Sequence, residues 1–252
     1  GSVKDDQRER TFAEVMRCAL GLDPDMVMLG ETRDEQTAKF AYRLALTGRQ
    51  VYTTLHVYGA LAVPQRLRDL GIEPYLAYDP NLLRGLVCQR LLRGLCTSCR
   101  IPLKDAVQIL GPSYEEIIGR VRAACVIVDH RRQHGFEKPF PERIQVPDVS
   151  NVYVANPEGC SHCYRGRFGR TVCAEVIETD PTLMQMLQDN RYGEAEQYWL
   201  SPAGLGGTNM LWHAIEKIRR GDIAPDDAEF ELGPLAKPRE VIEIEARMEQ
   251  MP

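Results

Sequence analysis

The sequence predicts an α/β fold: a partial parallel-sheet core over residues 1–95, a tetracysteine region over 96–175 and a helical C-terminal part over 176–252. Three observations lead there. A strand–helix–strand pattern fills Met26 to Leu55, two CxxC pairs stand at Cys96/Cys99 and Cys160/Cys163, and helical periodicity returns after residue 180.

Thr11 and Glu14 form a capping box, and Phe12, Val15, Met16, Ala19 and Leu20 follow at helical spacing up to Gly21. After the Asp23-Pro24-Asp25 turn, the apolar run Met26 to Leu29 suits a short buried strand. A helix is expected from Asp34 to Thr47, with Ala38, Ala41, Tyr42 and Ala45 on one face and Gly48 at its end. Val51 to Leu55 is β-branched and aromatic, hence a second strand. Strand, helix and strand at this spacing make a βαβ unit with parallel strands.

Further helices are expected over Val63 to Leu70 and Leu82 to Arg93. Residues 100–158 carry six prolines and mixed charge, with one helix expected around Glu115 to Ala124. The tail reads as helical near Leu183–Leu187, Met210–Ile218 and Glu240–Met251.

A chain of 252 residues is long enough to bury a sizeable core. Its net charge of -5 gives no support to nucleic acid or an anionic membrane as partner. No apolar run is long enough to span a bilayer: Arg84, Arg90 and Arg93 break the best candidate, Leu82 to Leu95. Val3 to Arg10 is almost wholly polar, unlike a signal peptide, and Gly1-Ser2 reads as a remnant of tag removal, with a natural start expected upstream. A cytosolic chain follows, in which eight cysteines point to metal or burial rather than disulfides.

Two CxxC knuckles offer four thiolates, the set that a tetrahedral zinc ion takes, with no open position for a substrate water. Zinc at Cys96, Cys99, Cys160 and Cys163 is therefore expected to be structural, against the alternatives of unpaired cysteines or a redox pair. His162 lies inside the second knuckle as a competing ligand, though cysteine already fills all four positions. Cys18, Cys88, Cys125 and Cys173 read as small core residues.

Glu31 and His56 each follow one of the two expected strands, and carboxyl ends of neighbouring parallel strands form ligand crevices. A glutamate there can orient or deprotonate water, and a histidine can read a phosphate. From the residues alone this pairing is a weak signal, and a loop glutamate near a helix start with a strand-end histidine satisfied by backbone is the better-supported reading. Arg165, Gly166, Arg167, Gly169 and Arg170 form a basic glycine-rich loop, suited to phosphate, to another subunit, or simply to a solvated turn.

Leu22-Asp-Pro-Asp-Met-Val-Met-Leu-Gly-Glu-Thr-Arg-Asp34 resembles the Walker B segment of the type II secretion and type IV pilus assembly ATPases, where an apolar strand ends in Gly-Glu-Ile-Arg-Asp. Ala45 to Gly48 followed by Thr53-Thr-Leu-His56 is similar to that family's His box, and Arg66 to Pro74, Gln89 to Arg93, the knuckles and Gly166 to Arg170 continue in the family's order. The resemblance implies a RecA-like ATPase core using ATP and magnesium, with Glu31 as the catalytic carboxylate and His56 near the γ-phosphate. It also implies a hexamer, cytoplasmic and peripheral on the inner membrane, working on a membrane platform protein in secretion or pilus biogenesis.

Four departures stand out, one being a segment between the knuckles, residues 100–159, that is longer than usual. Thr32 replaces the usual Ile, Val57 and Tyr58 replace the common Thr and Asn, and none of the six lysines follows a glycine, so the Gly-Lys-Ser/Thr phosphate loop is absent from these residues. Alone, the chain is expected to be inactive. The rival reading is a zinc-stabilised protein-binding module without chemistry. A zinc-ribbon nucleic-acid binder fits poorly with the negative charge and the scarcity of aromatics near the knuckles.

Overall fold

The computed structural model describes residues 14, 15, 18 and 21–248. Thr11 and Phe12 of the expected capping box, and the tail beyond Met248, lie outside the described residues. The described residues form two compact units: those up to 86 with 178–192, and 87–177 with those from 193 to 248. The return of 178–192 to the first unit is a connection that composition does not register.

In the first unit, β1 (Met26–Met28) and β2 (Gln50–Tyr52) run parallel, with Met26 opposite Gln50, Val27 opposite Val51 and Met28 opposite Tyr52. Helix α1 (Glu35–Leu46) makes the crossover. The Asp34 side chain caps it by accepting from Thr37 N at 2.8 Å, which satisfies one of the free first-turn donors. Its buried face is Ala38, Phe40, Tyr42 and Leu44. Ala41 and Ala45 are half-buried beside it. Gly48 follows at φ +90°, a left-handed turn that glycine adopts freely. The βαβ unit thus forms as expected, but β1 is not a buried strand: Met26 and Met28 are 58% and 67% exposed. Apolar character predicted the strand correctly and its burial wrongly. A 3-10 turn (Ala60–Ala62), α2 (Val63–Asp69), α3 (Pro74–Ala77) and α6 (Pro181–Gln188) complete this unit. Val63, Leu67, Leu183, Met184 and Leu187 are buried.

Residues 82–93, expected as a helix, instead contribute to β3 (Gly85–Leu95), paired with β6 (Arg167–Glu178). The leucines of 82–95 fit a helical period as well as an alternating one. What decides is the partner: β6 offers Thr171, Val172, Cys173, Val176 and Ile177, a β-forming run, and Gly94 lets the strands approach. A Cβ on Gly94 would lie 2.7 Å from Phe168 O.

The rest of the second unit is built around α5 (Tyr114–His134), 21 residues where the sequence suggests half that length. Acidic Glu115 and Glu116 begin it, and Arg131, Arg132 and His134 end it, matching its dipole. Against it pack α4 (Leu103–Leu110), α8 (Met210–Arg219), α9 (Pro225–Leu232) and α10 (Pro238–Met248). Side-chain forks fix these crossings. Arg219 bonds both Asp129 oxygens at 2.9 and 2.7 Å, and Arg120 bonds Glu229 at 2.7 and 2.9 Å. The short strands β4 (Ile101–Pro102) and β5 (Tyr153–Val154) pair antiparallel, and α7 (Tyr192–Leu200) precedes α8. No described helix is long and apolar enough to cross a membrane.

Candidate functional site

Backbone hydrogen bonds join the two segments past the ends of the strands, with one extra residue on the first. Leu29 N donates to Tyr52 O at 2.8 Å and Thr32 N to Thr54 O at 2.9 Å. Two side-chain bonds reinforce it: the Thr32 and Thr53 hydroxyls meet at 2.8 Å, and Thr54 Oγ1 donates to Gly30 O at 2.7 Å. Thr32, the departure from Ile, is 2% exposed and uses its hydroxyl inside this clasp.

Glu31 and His56 sit on the two segments so joined. His56 Nε2 lies 2.9 Å from Glu31 Oε1, an ion pair when the imidazole is protonated. The Glu31 side chain is 21% exposed and that of His56 88%. Oε1 is shielded from solvent and, among the described residues, has no well-aligned hydrogen-bond donor. Arg33 pairs with Oε2. Its hydrogen bond and charge hold the Glu31 carboxyl below the usual carboxylate range, with burial opposing and His56 adding to the lowering. The sequence names Glu31 and His56, marks Thr32 only as a departure from the usual Ile, and passes over Arg33. The available signal was the alternation Glu31, Thr32, Arg33, which in extended chain sends the outer two to one side and the middle one to the other.

In the second unit, the four knuckle cysteines converge, their sulfurs all within 4.8 Å of one another. Cys96–Cys160, Cys99–Cys163 and Cys160–Cys163 are 3.8, 3.5 and 3.6 Å apart. A tetrahedral zinc with ~2.3 Å bonds to sulfur needs edges of about 3.8 Å. The observed spacings fit that and are far from the ~2.05 Å of a disulfide. The Ser98 backbone N–H pulls the Cys96 thiol down to about 7, whereas burial and the neighbouring thiols push Cys99 up to about 12. Four thiolates at this separation repel strongly without a cation between them. His162 is exposed, with Nδ1 3.3 Å from Ser161 Oγ, and is no member of the cluster.

The basic loop beside it is a tight turn. Tyr164 N donates to Arg167 O and Arg167 N to Tyr164 O, while Arg165 and Gly166 both take positive φ. That is the type I′ pattern of two-residue hairpins. Gly166 O accepts from Cys96 N at 2.8 Å, tying the turn to the first knuckle. Arg167 turns inward onto Asp227 and Asp226. Of the other cysteines, Cys125 and Cys173 are buried and Cys88 is half-buried, but Cys18 is exposed, contrary to its reading as a core residue.

The family described as "Type II/IV secretion system protein" matches residues 2–230. The chain belongs to that family. Among its curated relatives, the type II secretion system ATPase E of Vibrio cholerae is 47% identical over 214 residues, covering 84% of this chain and 35% of that protein. The type II secretion system protein E of Dickeya dadantii is 34% identical over 189 residues, covering 75% and 30%. The type IV pilus assembly ATPase PilB of Acinetobacter baylyi is 30% identical over 212 residues, covering 84% and 31%. The chain therefore spans about a third of the length of these secretion-family proteins. In fold it resembles the pilus retraction motor PilT with bound ADP, at a TM-score of 0.51 and 18% identity, over 91% of this chain and 45% of that one.

Proposed function

We propose that this member of the secretion-family ATPases is part of an ATP-hydrolysing motor for type II secretion or type IV pilus biogenesis. The observation that carries this is the convergence of Glu31 and His56 at the carboxyl ends of two parallel strands, 2.9 Å apart. Glu31 would orient the attacking water through Oε1, and His56 would sense the γ-phosphate region. The names of the relatives favour the same activity.

The RecA-like core would be only partly supplied by these residues. The exposed Met26, Met28 and Tyr52 support that, since parallel strands are ordinarily covered on both faces. No lysine in this sequence follows a glycine, so the phosphate-binding loop, and with it the main hold on ATP and magnesium, is assigned to a part of the protein outside these residues. The 252-residue chain alone would then be inactive. The Cys96, Cys99, Cys160 and Cys163 set would hold a structural zinc. The working assembly would be a hexamer, cytoplasmic and peripheral on the inner membrane, engaging a membrane platform protein.

The test is Glu31→Gln in a protein that carries the loop. Turnover should vanish while nucleotide binding persists, because the substitution keeps shape and removes the charge. Ordinary turnover would refute the role.

A further inference from the structure

Thr32 N is bound to Thr54 O just past the end of β1, and burial separates Thr32 from its two neighbours. Thr32 is 2% exposed, while Glu31 and Arg33 project together on the other side. The Arg33 side chain is 75% exposed, yet its guanidinium reaches back to Glu31, whose side chain is only 21% exposed. Packing does not require that contact.

We propose that Arg33 is a positioning residue: by holding Oε2 of Glu31, it fixes the carboxylate so that Oε1, shielded here and facing His56, is the oxygen presented to a water once the imidazole moves away. This rests on the proposed role of Glu31. A free carboxylate has two equivalent oxygens and rotates between them; one with a single oxygen held by a guanidinium N–H does so less freely. Arginine stays protonated at every working pH, so the charge that holds Oε2 does not titrate away. The charged groups that face Glu31 are Arg33 and His56. With both in place the carboxylate is kept ionised, which suits holding a water more than removing its proton. His56 stands at Oε1, so a water takes that oxygen only when the imidazole moves away. Approach of a phosphate, an anion that attracts a protonated imidazole, would supply that movement.

An exposed ion pair of this kind contributes little to stability, so a purely structural role and a positioning role separate cleanly. In the 252-residue chain with 13C-labelled glutamate, the Glu31 carboxyl signal should titrate below the ordinary range. Arg33→Ala should move it up and Arg33→Lys should restore part of the shift, with Tm unchanged. In a protein carrying the phosphate-binding loop, Arg33→Ala should lower kcat about tenfold to a hundredfold with KM for ATP unchanged, and Arg33→Lys should recover part of it. A Glu31 signal unmoved by Arg33→Ala overturns the clamp. Wild-type kcat in Arg33→Ala, with Glu31→Gln inactive, overturns the positioning role alone. Wild-type turnover in Glu31→Gln removes the functional reading beneath it.

Discussion

Thr32 Oγ1 stands 2.8 Å from Thr53 Oγ1, joining the segment that carries Glu31 to the one that carries His56. With Thr54 Oγ1 on Gly30 O at 2.7 Å, it makes a polar clasp across the ends of two parallel strands. Thr32→Val keeps the shape and removes the hydroxyl, so it should cost about 1 kcal/mol, and Thr32→Ser less. Urea unfolding of the three proteins checks this. No difference between Val and Thr would mean that the clasp does not hold in solution.

The cysteine cluster predicts one tightly bound zinc per chain. Elemental analysis should find it, and Cys99→Ser should lower both metal content and Tm, because metal affinity and folding are coupled at such sites. A folded, metal-free protein with four reactive thiols would sink the assignment.

Gly166 occupies a position that no other residue fits. It takes φ +74°, and a Cβ there would lie 2.4 Å from Asn156 N and 2.7 Å from Asn156 O, both backbone atoms. Its carbonyl also accepts from Cys96 N. Gly166→Ala should therefore destabilise by about 2 to 4 kcal/mol and weaken zinc retention together. A drop in Tm with metal affinity intact would show that the turn and the knuckle are independent.

The βαβ unit was legible because its signals are local: the apolar run at 26–29, the Gly48 terminator and β-branched residues at 51–55 each act within a few positions. The same holds for the CxxC pairs. Residues 82–95 were misread because their leucines fit two periods, and the deciding contact with β6 lies some eighty residues away. The second half of α5 was missed for a similar reason. Its polar end, Arg131-Arg132-Gln133-His134, reads as loop until Arg219 on α8 pins Asp129. Arg33 is not singled out by the sequence, because an arginine two places after a glutamate is ordinary; only the fold, which buries Thr32, brings the two side chains together.

The 252-residue chain should show no measurable ATP turnover, since it contains no glycine–lysine step to cradle phosphates. A coupled phosphate-release assay checks this, with the loop-bearing protein as positive control. Turnover by the short chain that disappears in Glu31→Gln would mean that another element binds the phosphates.

His56 separates a sensing role from a packing role. Its side chain is 88% exposed and its one described polar approach is to Glu31, so nothing in the first unit depends on it for burial. His56→Ala should leave stability within about 0.5 kcal/mol of the parent protein, as surface changes usually do. If the imidazole reads the γ-phosphate, the same substitution in a loop-bearing protein should lower turnover and reduce the preference for ATP over ADP. Val57 and Tyr58 follow it where the family commonly has Thr and Asn, and Tyr58 is 80% exposed, so the tyrosine does not hold the ring in a packed position. Melting curves and the ratio of ATP to ADP affinities decide the matter. A stability loss of about 1 to 3 kcal/mol with the ratio unchanged would make His56 a structural residue and leave Glu31 to act without it.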